Sequence, residues 1–445
     1  MNNSLAKEFD LKSLLRFSAP SIAMMVFTSL YTIVDGMFVS NLVGTDALSA
    51  INICYPLLCF FNAISIMFST GGCAVVSIQL GEGNSKKANR LFSFITLSAL
   101  AVTAVTAVVV VVSFIFLEPL LTFLGCSETL MPYCKSYLSV LLVFSPVLTL
   151  QILFQSFFVA AGKPTLGLIL TISAGISNMI LDYVFMANFN SGISGAALAT
   201  AAGYFIPAIG GVIFFFKNRN GLCFSLPQID FKALFKSCTN GSSEMVTNLS
   251  TSITTMLFNI TMMEHLGNDG VAAITAVLYS QFLLTALYLG FSVGVAPIIS
   301  YHYGAGNCVY LNKLKRICYK FVLATSVLSF VLAFFVSNPL ASLFSGNNQN
   351  VHELIKHGMM LFSVGFIFSG FNIFTSAFFT ALSDGLTSAI VSFSRTFLFI
   401  IAGLYLMMAI LGIDGLWLSI PFAELCAFLI SIIFLKAKQK TMFEK

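Results

Sequence analysis

Asp35, Asn178, Asp182 and Thr200 are polar residues set inside long apolar runs. An ionised carboxylate in hydrocarbon costs several kcal/mol, so two of them need a chemical reason. Asp35 lies nine residues before Gly44, Asp182 ten before Gly192, and Thr200 eight after Gly192. At roughly 1.5 Å per helical residue, all three fall about 12–15 Å from the same membrane surface. Asn178 is one turn from Asp182 and shares its helical face. Oxygen atoms gathered at one depth suit a hard cation such as Na⁺. They also suit a proton, because two like charges held close in low dielectric do not both stay ionised. A structural hydrogen-bonded network is the competing reading, but a bare carboxylate pair is a costly brace.

The elements that must position these groups are membrane helices. The chain has 445 residues, 58% hydrophobic and 9% charged, with a mean hydropathy of +0.94. A soluble domain carries about 25% charge. Twelve apolar spans are expected, at about 14–40, 47–73, 91–116, 134–159, 165–187, 193–216, 240–264, 271–299, 317–337, 357–380, 387–410 and 415–435. Each is long enough to cross a core of about 30 Å. The fold class is therefore an all-α polytopic membrane protein. The N-terminus shows no short apolar stretch with a small-residue cleavage site, so no cleaved signal peptide is expected.

Charge placement predicts orientation. With both termini inside, inner segments hold nineteen of the 22 Lys and Arg, the last of them Lys440 and Lys445. Outer segments hold only Lys135 and Lys356, and Arg395 lies within a span. This excess predicts cytoplasmic termini. The net charge of +5 thus reflects topology, and no aromatic-interleaved basic patch points to nucleic acid. Ten scattered cysteines form no CxxC pair, and the four histidines (His265, His302, His352, His357) form no zinc pattern. Only Cys126 and Cys134 share an outer loop where a disulfide could form; free thiols are the simpler reading.

The chain repeats itself. Gly44-x-Asp46, Ala50-Ile51 and Gly81-Glu82-Gly83-Asn84 recur 223 residues later as Gly267-x-Asp269, Ala273-Ile274 and Gly304-Ala305-Gly306-Asn307. Phe157-Phe158 recurs as Phe378-Phe379 at 221, and Gly192-Ile193-Ser194-Gly195 as Gly412-Ile413-Asp414-Gly415 at 220. Six spans per half leave both halves in the same orientation, related by an axis along the membrane normal. The expectation is two parallel-repeat six-helix lobes around a central cleft: an N-lobe over 1–216, a cytoplasmic linker over 217–239 and a C-lobe over 240–445. The 81–84 turn precedes Ser85-Lys86-Lys87, but it lacks P-loop spacing and a preceding strand; it reads as a tight turn.

The C-half counterparts of the polar positions are Phe258 for Asp35, Phe399 for Asn178, and Ala402 or Gly403 for Asp182. The cation site is therefore expected in one lobe only. The C-half has other buried charges: Glu244, with Asn248 one turn on, Arg395 and Glu424. Arg395 could pair with Glu244 or Glu424 as a structural or gating ion pair. Pro20 is a candidate kink near the start of the first span. Phe (47) and Met (17) are abundant, which suits an adaptable surface for flat cations. Cleft candidates are Tyr137, Gln151, Gln155, Asn259, Gln281, Tyr288 and Asn372.

Over its whole length the chain resembles the multidrug and toxic compound extrusion (MATE) family, nearest to its bacterial MepA-like group. The twelve spans, the VDGMFVSNLVGTDALSA segment and the GEGN turn carry the likeness. The resemblance implies a cation site of Asp35, Asn178, Asp182 and Thr200, a kinking proline at Pro20 and a site-lining aromatic at Tyr31. Some members use a span-seven carboxylate, but the 23 residues from Glu244 to Gly267 exceed the family's spacing. The implied activity is export of amphipathic, often cationic compounds in exchange for Na⁺ or H⁺. No cofactor is expected beyond the coupling ion, and a monomer in the cell membrane is expected. Two rivals stand beside this reading. A flippase or exporter of a lipid-linked or other endogenous metabolite would need basic residues facing the cleft, and Arg395 is the one basic residue within a span. An ion channel is the rival from another class. An enzyme is not expected, since no nucleophile–base constellation appears.

Overall fold

A computed structural model describes residues 4–112, 118–119, 121–122, 126–189, 191–219, 221–345 and 348–439. Lys440, Lys445 and the last residues of the span expected over 91–116 lie outside the described residues, as does the side chain of Asp46. The described chain is helical, with no strand among the described residues.

Span one is Leu11–Leu42, span two Thr45–Gly81 and span three Ser85–Val112. Span four is a bent pair, Met131–Val143 and Ser145–Ala160, with an angle of 55°. Span five runs Pro164–Tyr183 and continues into a π-helical turn, Val184–Asn188; span six is Gly192–Lys217. One continuous stretch, Phe231–Gly304, follows. At about 1.5 Å per residue it would be about 110 Å long, more than twice a bilayer. Gly267 breaks it, with φ 62° and ψ −152°, into spans seven and eight. Span nine is Cys308–Phe344. Span ten is a second bent pair, Gln349–Ser363 and Phe366–Ala381, again at 55°. Span eleven runs Gly385–Phe393, a π-helical turn Ser394–Leu398 and Phe399–Leu411; span twelve is Ile413–Ala437. The segment between the halves is shorter than expected: Asp230 caps the seventh helix by accepting from Ala233 N at 2.9 Å.

The repeat is written into the backbone. Among the described residues, eight have left-handed φ. They fall into four pairs at the repeat offsets: Gly44 with Gly267, Gly83 with Gly306, Gly162 with Ser383, and Gly192 with Gly412. Each pair closes the same turn in each half.

The halves meet reciprocally. A Cβ on Gly81 would lie 2.0 Å from Tyr301 O, and one on Gly304 would lie 2.2 Å from Ile78 O. A Cβ on Gly71 would lie 2.6 Å from Gly241 N, and one on Gly294 would lie 2.8 Å from Ser18 Cβ. Each contact maps onto its mate by the same shift of 223 residues. Only glycine permits helices to approach this closely. The N-terminal segment adds a strap: Phe9 N donates to Tyr310 Oη at 2.6 Å.

These seams lie toward the face that carries the first and last described residues, the terminal face. There, Leu5, Phe9 and Leu14 of the first half share a core with Phe291, Tyr310 and Phe378 of the second. Toward the far face the cores separate. One holds Val39, Phe61, Tyr137 and Ile193, the other Phe258, Ile355 and Trp417, and neither contains a residue of the opposite half. Tyr55 and Tyr279, on facing helices, are 54% and 43% exposed. The two halves thus share a core at the terminal face and have separate cores toward the far face.

Candidate functional site

Spans one, five and six are brought together by small residues. A Cβ on Gly175 of span five would lie 2.6 Å from the Phe27 ring and 3.3 Å from that of Tyr31. A Cβ on Gly203 of span six would lie 3.4 Å from both Ala174 O and Asn178 Cβ. Phe27 and Tyr31 pack with their rings tilted by 45° and centroids 6.0 Å apart. Asp35 is one turn beyond Tyr31, and Thr200 one turn before Gly203, half-buried.

The result is one acidic chamber. Asp35 and Asp182 lie within electrostatic reach of each other. Tyr31, Tyr137 and Tyr204 all lie within the electrostatic reach of Asp35. Asp182 is fully buried and Asn178 nearly so. Asp182 Oδ1 and Oδ2, Asp35 Oδ1, and Asn178 Oδ1 and Nδ2 are buried without a hydrogen-bond partner among the described residues. Buried polar atoms are ordinarily paired, and a pair of such carboxylates left without donors is exceptional. Their donor set is oxygen-rich, contains no thiol or imidazole, and fits a hard cation or a shared proton. The π-helical turn starts two residues after Asp182, inserting an extra residue where the acid must be aimed inward.

The second half has a polar centre of a different kind. Arg395 Nη1 donates to Glu424 Oε1 at 3.1 Å, with both side chains mostly buried. Asn372 Nδ2 donates to Glu424 Oε2 at 2.7 Å and to Glu424 O at 2.8 Å. Ser431 Oγ donates to Asn372 Oδ1 at 3.1 Å. Glu244 is within electrostatic reach of Arg395 but makes no ion pair with it, and Asn248 turns back to Glu244 O at 2.9 Å. Arg395 itself sits on the π-helical turn of span eleven.

The other named residues divide. Tyr137 belongs to the acidic chamber. Gln151 is buried with Oε1 unpaired among the described residues, and Gln155 Nε2 reaches Thr171 Oγ1 at 3.4 Å. Asn259 Oδ1 is buried and unpaired among the described residues; Gln281 is half-buried. Two cleft candidates lie inside the second lobe. Asn372 is committed to Glu424, and Tyr288 is buried against Gly370, its hydroxyl 3.4 Å from Thr325 O. Pro20 is interior to span one, between Ser18 and Ile22, which meet Gly294 and Gly290 of span eight. Its missing N–H removes a backbone bond at that crossing. Cys126 and Cys134 are thiols with sulfurs 3.5 Å apart. Sequence reasoning passed over Tyr204, although its place one turn after Thr200 was the available signal.

The MatE family model matches residues 20–184 and 244–406, one block in each half. The chain belongs to the MatE family. Its relatives include a FAD transporter of Shewanella oneidensis, 25% identical over 428 residues, covering 93% of this chain and 91% of that one. The multidrug export protein MepA of Staphylococcus haemolyticus is 23% identical over 443 residues, covering 98% and 95%. In fold, this MatE chain superposes on a solved outward-facing multidrug-resistance MATE transporter with a TM-score of 0.91 at 20% identity, covering 100% and 99%. It is a multi-span membrane transporter, not an enzyme.

Proposed function

We propose that this MatE chain is a multidrug antiporter of the cell membrane, exporting amphipathic, often cationic compounds in exchange for Na⁺ or H⁺. The observation that carries the reading is the pair of acids on different helices, Asp35 and Asp182, whose Oδ1 (Asp35) and Oδ1 and Oδ2 (Asp182) are buried without a hydrogen-bond partner among the described residues. The export of drugs by the MepA relative supports the substrate class. The working unit is one chain, with an N-lobe of residues 1–216, a linker within 217–239 and a C-lobe of 240–445, and both termini cytoplasmic.

In this reading the far face is the outside, and the chamber takes its cation from there. Asp35, Asp182, Asn178 and Thr200 hold the ion, and Tyr31, Tyr137 and Tyr204 wall it in. Cation binding removes the repulsion between the carboxylates and lets span one shift about Pro20, expelling the drug. Loss of the cation restores the repulsion and favours the state open to the cytoplasm. A cation gains its leverage only by binding the two states unequally. The glycine seams at the terminal face are the contacts that must part. Gln151, Gln155, Asn259 and Gln281 are the remaining cleft candidates.

Export of an endogenous anionic metabolite is a second reading, favoured by the relative named a FAD transporter. It would need a cation facing the cleft, and Arg395 is already engaged by Glu424. Dye efflux from everted vesicles, with Na⁺ and pH gradients imposed separately, tests the antiport. Efflux driven by one of them is expected. Efflux indifferent to both would overturn the reading.

A further inference from the structure

The two halves differ at one equivalent place on the terminal face. In the first half, the start of span three is covered by the chain itself. Asn89 Oδ1 accepts from Cys223 N at 3.2 Å, and Ser93 Oγ accepts from Ser225 N at 2.9 Å. Arg90 Nη1 donates to Gln228 Oε1 at 3.3 Å, and Phe224 stacks on Phe92 at 4.9 Å. Shifted by 223 residues, Asn89, Arg90, Ser93 and Leu97 become Asn312, Lys313, Arg316 and Lys320 of span nine. No described segment of the chain lies over these. They line an open groove of about 510 Å³ with Val309 and Ile317.

The groove is more cationic than its mate. Where the first half has Ser93 and Leu97, the second has Arg316 and Lys320. Lys313, Arg316 and Lys320 are all exposed, and none makes an ion pair among the described residues. The same helix face continues into the membrane as exposed Leu323, Val327 and Phe335. Cations at headgroup depth above an apolar stripe match one kind of molecule: a negatively charged head with hydrocarbon tails.

We propose that this groove is a binding site for one anionic phospholipid of the adjacent leaflet. Arg316 and Lys313 hold the phosphate, Lys320 reaches up from just below it, and an acyl chain lies along Leu323 and Val327. Guanidinium and ammonium groups are the residues that bind phosphate oxygens. The lipid does in the second half what residues 222–228 do in the first, covering the start of the third helix of the lobe. The proposal is independent of which ion drives transport.

The test uses full-length purified protein and phosphatidylglycerol as probe, with retained lipid counted by native mass spectrometry and affinity read by titration. Lys313→Gln/Arg316→Gln/Lys320→Gln is compared with Lys86→Gln/Lys87→Gln/Lys163→Gln, which removes equal charge from the same face. At about fivefold per cation, the groove variant should bind roughly a hundredfold more weakly and Arg316→Gln alone about fivefold. The control variant should bind like wild type, and phosphatidylcholine should bind far more weakly than phosphatidylglycerol. Equal loss in both triple variants would overturn the site in favour of general surface charge. Equal binding of the two lipids would overturn the role of the three cations.

Discussion

The two lobes share a backbone plan but treat buried charge in opposite ways. In the N-lobe, Asp35 Oδ1 and both carboxylate oxygens of Asp182 have no hydrogen-bond partner among the described residues. In the C-lobe, Glu424 is neutralised by Arg395 and bonded by Asn372. The first arrangement is poor unless something positive arrives from outside. The second carries its own cation, with Arg395 Nη1 on Glu424, although Arg395 Nε is buried without a hydrogen-bond partner among the described residues. Under the proposed antiport, the first lobe would bind the driving ion and the second would stay fixed while it moves.

The largest effect should come from removing charge in the acidic chamber. Asp35→Asn or Asp182→Asn should reduce gradient-driven dye efflux to the level of empty vesicles, with the protein still inserted. Wild-type efflux in either variant would erase the contrast. Next is the C-lobe pair. Arg395→Met leaves Glu424 buried and uncompensated, which typically costs about 3–5 kcal/mol. Thermal unfolding in detergent should show that loss, and Arg395→Met/Glu424→Leu should recover most of it. That double variant should still couple efflux to the gradient. If it uncouples, the C-lobe pair is part of the ion path.

Smaller effects test the shared backbone. Gly304→Ala forces a Cβ to 2.2 Å from Ile78 O, and overpacking of this kind costs about 1–3 kcal/mol. It should loosen the terminal-face seam, read as faster labelling of a cysteine introduced there. Smallest is Ser383, which holds φ 60° where the other half has Gly162. Ser383→Gly should stabilise by about 1 kcal/mol, because a side chain in the left-handed region is strained. An unchanged unfolding temperature would mean the two turns are not equivalent in energy.

The sequence revealed much of this and concealed the rest for physical reasons. Span count, repeat and the common depth of Asp35, Asp182 and Thr200 follow from helical rise and recurring glycines. Those properties run along the helix axis, and one dimension is enough to read them. Rotation about the axis is not so readable. Whether Arg395 meets Glu244 or Glu424 depends on which way spans seven, eleven and twelve turn, and the π-helical turn at Ser394–Leu398 resets that phase. The same reason hides Tyr204, an aromatic among many, and draws Tyr288 and Asn372 into the lobe. Equal depth did not guarantee an equal facing direction.

The central claim is that the driving cation binds between Asp35 and Asp182. Its most direct test is cation binding by the purified protein, with radioactive sodium uptake and proton release measured in parallel and challenged by dye. Wild type and Arg395→Met/Glu424→Leu should bind a cation that the dye displaces, whereas Asp35→Asn and Asp182→Asn should not. Undiminished, dye-sensitive binding in Asp35→Asn/Asp182→Asn would contradict the account.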